Sequence, residues 1–429
     1  MRNKNLLLCL FLNLTFGYTA IAQHQTTTIT TGTPEAAGFS AQRLTKLDNA
    51  MKEWADKGWM NGAVALVIKN GKIAYYNGVG YNDIDAKQKM PKEGIFRIAS
   101  QTKAITSVAI MMLFDEGKLL VNDRVSKFIP SFSKPTVLDK FEAKDTTYTT
   151  VPAAREITIK DLLTHTSGLG YATIGSPEAN AIYAKSNITA GLGVKDGTLL
   201  EAMTRLGKLP LMHQPGQRWT YGLNTDLLGC IVEVVSGMSL DQFFKTRIFQ
   251  PLGMNNTYFS VPENKSDQLV NMYTEDQQGK LVKGGNKIFG TPTASNYPLI
   301  GSTYYSGGGG LSGPIMDYAI FLQMLLNGGE YNGVRILGRN TVRMMTMNQV
   351  GDLSLGDDKF GLGFSVVTEK GSANTPAQAG TFSWGGAFST SYWVDPKEKM
   401  VLLFYRQLQS SSHGDVVERF RALTYQALN

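Results

Sequence analysis

Cysteine is almost missing from this chain: Cys9 and Cys230 are the only two in 429 residues. Cys9 falls in an N-terminal apolar stretch, so Cys230 is left without an internal disulfide partner even in an oxidising compartment. Its setting, Leu227-Leu228-Gly229-Cys230-Ile231-Val232, reads as a packed core thiol rather than a nucleophile. Histidine is scarce too. His24, His165, His213 and His413 share no ligand spacing, which argues against a zinc site and leaves any Ser-His-Asp triad dependent on one isolated histidine. No Lys/Arg block accompanies the modest excess of 42 basic over 35 acidic residues, so nothing points to a nucleic-acid partner. There is no complete Gly-x-Ser-x-Gly, the mark of an α/β-hydrolase elbow. Apolar runs long enough to span a bilayer, ~20 residues, are also lacking.

The one sizeable N-terminal apolar run, Leu6 to Phe16, follows Met-Arg-Asn-Lys and ends near Ala20-Ile21-Ala22, the layout of a secretory signal peptide over residues 1–22. Export is therefore expected, to the periplasm or beyond the cell. Residues 23–33, rich in Thr and Gln, are expected to form a flexible leader. Ser40 then reads as the N-cap of a helix whose Leu44, Leu47, Met51 and Trp54 share a face. Ala63–Ile68 and Lys72–Asn77, joined by Asn70-Gly71, predict a β-hairpin. Ser100–Glu116 predicts a helix apolar nearly all round, closed by Gly117. Residues 157–327 read as mainly helical. Strand character returns at Phe360–Val367, Ala377–Trp384, Thr390–Val394 and Met400–Tyr405, before a last helix from about Asp415. Strands at both ends with helices between predict an α/β (α+β) fold. An antiparallel sheet, flanked by N- and C-terminal helices, would come from residues 34–98 and 326–429, with a helical domain inserted over 99–325.

Ser100-Gln101-Thr102-Lys103 sets a hydroxyl and an amine three residues apart at the start of the apolar helix. A serine needs a base to become a nucleophile, and a desolvated lysine near the positive end of a helix can serve; the helix start also offers free N–H groups to an oxyanion. The spacing alone is unspecific. Ser131-Phe132-Ser133-Lys134 repeats it between Pro130 and Pro135, where no helix is expected.

The wider pattern is more specific. Phe96-Arg97-Ile98-Ala99-Ser100-Gln101-Thr102-Lys103, Leu162-Leu163-Thr164-His165-Thr166-Ser167-Gly168-Leu169, Pro215-Gly216-Gln217-Arg218-Trp219-Thr220-Tyr221, Pro251-Leu252-Gly253-Met254 and Trp384-Gly385-Gly386 follow in order. From about Pro34 to the C-terminus the chain resembles the serine β-lactamase and penicillin-binding-protein superfamily near class C, which includes D-aminopeptidases and family VIII carboxylesterases. The resemblance implies Ser100 as nucleophile and Lys103 as its neighbour. It makes Tyr221 the partner that takes the serine proton and returns it to the leaving group. It also implies an oxyanion hole from the N–H groups of Ser100 and Ala387, with no metal or cofactor. Lactam-cleaving relatives carry an asparagine two residues after the tyrosine; here Leu223 stands there and Asn224 one further on, leaving Asn224 as the pocket candidate. Where those relatives have Lys-Thr-Gly, this chain has Trp384-Gly385-Gly386, expected in the substrate pocket with the two glycines letting the strand approach the substrate closely. An aromatic wall suits an acyl or aryl ester better than a free carboxylate and resembles the esterase branch. The expected substrate is thus a small ester or amide, with carboxylesterase chemistry favoured. A β-lactamase or D-amino-acid peptidase, an acyltransferase and a non-catalytic binding protein are the alternatives. The resemblance makes His165 part of a structural turn, and Ser306-Gly307-Gly308-Gly309-Gly310-Leu311 lacks the Gly-Lys-Ser/Thr of a phosphate loop, suggesting a rim segment.

Overall fold

A computed structural model describes residues 26–284, 287–288, 291–292, 297–299, 301–353 and 355–429. The expected signal peptide lies outside the described residues. Of the expected flexible leader, residues 26–33 are described, and part of it is paired. Thr30–Thr31 pairs in parallel with Lys72–Ile73, because the hairpin edge offers unpaired backbone groups. Thr30 N–H donates to Gly71 O at 2.8 Å, and the Asn327 side chain holds Thr27 O at 2.8 Å.

The chain is built on a nine-stranded sheet, antiparallel except for that short N-terminal strand. Its centre pairs Gly62–Lys69 with Lys72–Asp83 on one side and Met400–Tyr405 on the other; Thr390–Asp395 and Phe382–Gly386 follow outward. Successive side chains of a strand point to opposite faces, and both faces here are buried. Val64, Leu66, Ile68, Val401, Leu403 and Tyr405 join the core shared with the central helices. Ala63, Ala65, Val67, Met400, Leu402 and Phe404 pack instead under the N-terminal helix Ala41–Asp56 and the C-terminal helix Val416–Tyr425. Double-sided burial is why these strands read as unbroken apolar runs.

The outer strands differ from expectation. Phe360–Val367 is two short paired strands, Lys359–Phe360 and Ser365–Val366, because Gly363 takes φ +99° and turns the chain. The Ala377–Trp384 strand lies further along, at Phe382–Gly386, which puts Trp384-Gly385-Gly386 within it. A hairpin of Thr136–Glu142 and Thr147–Pro152 has no counterpart in the sequence reading. The Pro130–Phe132 segment makes one 3₁₀ turn: Pro130 occupies its first position, where a missing N–H costs nothing. Ser131 and Lys134 nevertheless share no helix face. The helix Ile315–Leu326, on the inserted side of the expected boundary, packs against the sheet.

The helix Thr102–Asp115 runs through the middle, with every residue from Thr102 to Leu113 buried. Burial on all sides requires the continuous apolar composition that the sequence shows. Its neighbour Asn224–Ser236 packs against it and carries Cys230, whose thiol burial pushes up to about 12. Among the described residues, no single helix is long and apolar enough to cross a membrane.

Candidate active site

Ser100 sits in a 3₁₀ turn, Ala99–Gln101, that feeds directly into the central helix. The turn is held under constraint. Ala99 adopts φ +42°, a left-handed conformation uncommon for a residue with a side chain. Such strain persists only where the surroundings impose it. Here Gln101 is pinned by Tyr318 Oη on its carbonyl at 2.8 Å and by Tyr405 Oη on its side chain at 2.5 Å. The backbone before the serine is fixed as firmly, with Ile98 N–H donating to Leu311 O at 3.1 Å.

Three side chains expected from the sequence meet at this turn. Tyr221 Oη hydrogen-bonds Ser100 Oγ at 2.7 Å, and Lys103 Nζ lies 3.3 Å from the same oxygen. Lys103 is only 2 % exposed, so its amine depends on protein acceptors. It donates to Gly308 O at 2.6 Å and Tyr171 Oη at 2.9 Å besides Ser100. An ammonium has three donors, and three acceptors face it. Nζ also sits 4.6 Å from the Tyr221 ring centroid, over its face.

Tyr171 and Gly308 were not anticipated. Tyr171 follows the Leu162–Leu169 motif by two residues, and its place beside the lysine is the only signal that could have marked it. Burial first, then the neighbouring Tyr221 and Asp226, hold the Tyr171 phenol well above its ordinary value. It therefore stays neutral and serves as a fixed acceptor for Lys103. Gly308 belongs to the glycine run read as a rim segment; Gly308 and Gly309 do line the cavity at Ser100, and the Gly308 carbonyl also reaches the lysine.

A cavity of about 380 Å³ opens on Ser100, lined by Ala99, Tyr171, Ile174, Leu192, Tyr221, Trp384, Gly385 and Ala387 among others. Among the described residues no charged side chain lines it. Trp384 stands 5.6 Å from Tyr221 and 5.4 Å from Phe360, centroid to centroid, as part of an aromatic cluster with Trp219. Gly386 has a different task from the one expected. A Cβ there would lie 2.3 Å from Ile98 O, so its close approach is to the backbone preceding Ser100 rather than to a substrate. That contact sets the strand carrying Ala387 against the serine turn.

Asn224 requires a correction. It is fully buried and does not line the cavity: its carbonyl oxygen accepts from Ser167 Oγ at 2.5 Å and its amide faces His165 Nδ1 at 2.9 Å. Leu223 caps the helix and Asn224 opens it, so one step along the chain turns the side chain ~100° into the core. His165 in turn packs its ring 5.0 Å from Tyr221 and 5.8 Å from Trp219. Burial, and then the charge of Lys103, hold the imidazole well below its ordinary value. It is a neutral ring bracing Tyr221, with an amide rather than a carboxylate beside it.

A serine hydroxyl bonded to a tyrosine, with a buried lysine in reach and, among the described residues, no histidine bonded to it, is an arrangement in which a phenol and an amine can handle the serine proton. The chain belongs to the Beta-lactamase family, whose model matches residues 47–426. Protein Rv1367c of Mycobacterium tuberculosis is 36% identical over 371 residues, covering 83% of this chain and 88% of the relative. Esterase EstB of Burkholderia gladioli is 30% identical over 373 residues, covering 84% and 88% respectively. Among solved structures, EstCE1, a hydrolase with promiscuous acyltransferase activity, superposes with TM-score 0.76 at 27% identity, covering 90% of this chain and 99% of that one. The chain is thus a β-lactamase-fold serine hydrolase by family.

Proposed function

We propose that this protein is a carboxylesterase acting on small, uncharged esters through an acyl-enzyme on Ser100. The observation that carries this is the cavity at the Ser100 hydroxyl, walled by Trp384 and other apolar side chains, with no charged group on its described lining. A substrate carboxylate entering it would lose water without gaining a partner, whereas an apolar acyl or aryl group gains contact area. The likeness to Esterase EstB supports the same reading.

In the proposed cycle Tyr221, acting as phenolate beside the Lys103 ammonium, takes the Ser100 proton across their 2.7 Å contact as Oγ attacks the ester carbonyl. The N–H groups of Ser100 and Ala387 are assigned to the oxyanion. The C–O bond then breaks, and the leaving alkoxide takes the proton back from Tyr221. Water repeats the sequence on the acyl-enzyme: Tyr221 removes its proton, the hydroxide adds, and Ser100 leaves with that proton as the acid is released.

Intact-mass measurement after brief exposure to p-nitrophenyl esters and to β-lactams tests this directly. Acylation by esters that disappears in Ser100→Ala supports it. Faster acylation by a cephalosporin would move the assignment to a β-lactamase or D-amino-acid peptidase on the same residues. Acyl transfer is a second reading, favoured by the likeness to EstCE1; ester products formed with an added alcohol would reveal it. Export, to the periplasm or beyond the cell, is proposed from residues 1–22 and is checked by cell fractionation.

A further inference from the structure

We propose that Asp226 is a positioning residue for the reaction at Ser100: its buried carboxyl group grips the Ser306–Gly308 loop and so aims the Gly308 carbonyl at Lys103. This rests on Ser100 as the nucleophile.

Asp226 is fully buried in the first turn of the helix Asn224–Ser236. An ionised carboxylate is costly in such a place unless charge or hydrogen bonds compensate it. Oδ1 accepts from Ser306 Oγ at 2.6 Å and from Gly308 N–H at 3.4 Å. Among the described residues, Oδ2 has no hydrogen-bond partner. Burial pushes the carboxyl up, and Ser306, then Lys103, then the Gly308 amide pull it back. Gly307 and Gly308 are needed for this packing. A Cβ on Gly308 would meet Asp226 Oδ2 at 2.3 Å, and one on Gly307 would meet Thr225 O at 2.7 Å. Thr106 Oγ1 holds the same loop from the central helix, donating to Gly307 O at 2.7 Å. The loop is thereby clamped between two helices, and its next carbonyl, Gly308 O, is the shortest of the three acceptors of Lys103. Asp226 reaches the reacting atoms only through that loop.

The test is Asp226→Asn in the full chain, a near-isosteric change that removes the charge. We expect kcat and the p-nitrophenol burst rate to fall about tenfold or more while KM stays within about twofold. The melting temperature should stay within about a few degrees of wild type, because the side-chain volume is conserved. A purely structural residue gives the opposite: lost stability with kcat intact in the folded fraction. That result, or an unchanged kcat in a folded variant, overturns the proposal. Should Asp226→Asn fail to fold, Ser306→Ala decides. It leaves the carboxylate but loosens its grip, and a lower kcat at constant KM supports the proposal whereas wild-type kcat refutes it. If Ser100→Ala retains turnover, the assignment of Ser100 fails; if Ser100→Ala is inactive and both other variants behave as wild type, only the role of Asp226 fails.

Discussion

Gly386→Ala is a severe single-atom-scale perturbation of the site. The added Cβ would stand 2.3 Å from Ile98 O and 2.4 Å from Thr390 Oγ1. The hydroxyl can rotate away, but the carbonyl belongs to the backbone that leads into the strained Ala99 and Ser100, so relief requires the two segments to part by several tenths of an ångström or more. Overpacking of this kind costs about 1–3 kcal/mol. The kinetic cost is larger, because Ser100 and Ala387 lie on opposite sides of the widened gap, and a displacement of ~1 Å in a reacting geometry costs on the order of 100-fold in rate. Gly385→Ala is the matched control, since its Cβ would meet Thr390 O at 3.2 Å and Ser391 Oγ at 3.7 Å, contacts that small adjustments absorb. Thermal unfolding and burst kinetics with a p-nitrophenyl ester should therefore separate adjacent glycines. Gly386→Ala is expected to lose a few degrees of melting temperature and about 100-fold in acylation rate, and Gly385→Ala much less of both. Equal effects at the two positions, or wild-type acylation in Gly386→Ala, would refute the claim that this contact sets the serine against the strand.

Tyr221→Phe should keep the fold and lower kcat by about 10²- to 10⁴-fold, because it removes only the oxygen bonded to Ser100; near wild-type turnover would assign proton transfer elsewhere. Tyr171→Phe removes one of the three acceptors of Lys103 and should lower kcat without raising KM, which steady-state kinetics on the ester panel can check. Asn224→Ala strands Ser167 Oγ and the His165 ring nitrogen in the core and should cost about 1–3 kcal/mol in denaturant titration. Stability should also fall as pH drops. His165 is held neutral in the folded state, so below an unfolded-state value of about 6.5 the unfolded chain binds the extra proton, and its share of the loss approaches ~1.4 kcal/mol per pH unit until the folded value is reached. Replacing His165 with Asn should flatten that part of the slope, and an unaltered pH profile would contradict the buried neutral ring.

The parts of the fold most visible in the chain are those whose local chemistry and final environment agree. Ser40 does cap its helix, with Oγ accepting from Arg43 N–H at 3.3 Å, and Asn70-Gly71 does turn the hairpin, both residues taking positive φ. Where apolar pattern stood alone, placement slipped. Phe360–Val367 is a single apolar stretch in sequence, but Gly361 packs its Cα within reach of Met345 O and Gly363 reverses the chain, so two strands form instead of one. The hairpin at residues 136–152 was hidden for the opposite reason: its second strand, Thr147–Pro152, is exposed throughout, and an exposed polar strand carries no alternation to detect.

The site divides in the same way, along the distance between cause and contact. Ser100 and Lys103 are three residues apart on one turn, so their pairing could be read locally, and the same local pattern at Ser131 shows how little it decides. The distinction lies in groups that reach the pair from afar: Tyr171, Tyr221 and Gly308 arrive from 68 to 205 residues away. None has a local pattern that announces a lysine as its partner. Asn224 shows the converse hazard, for a residue of the right type one position along a helix faces the wrong way. What gives Ser100 its setting is therefore the convergence of three buried supports. The glycine loop held by Asp226 steadies Lys103, the imidazole of His165 steadies Tyr221, and the Gly386–Ile98 contact steadies the serine itself. Each support can be loosened by one substitution that touches none of the reacting atoms. Under the proposed mechanism, Ser100 should accordingly be as sensitive to these neighbours as to its own direct partners.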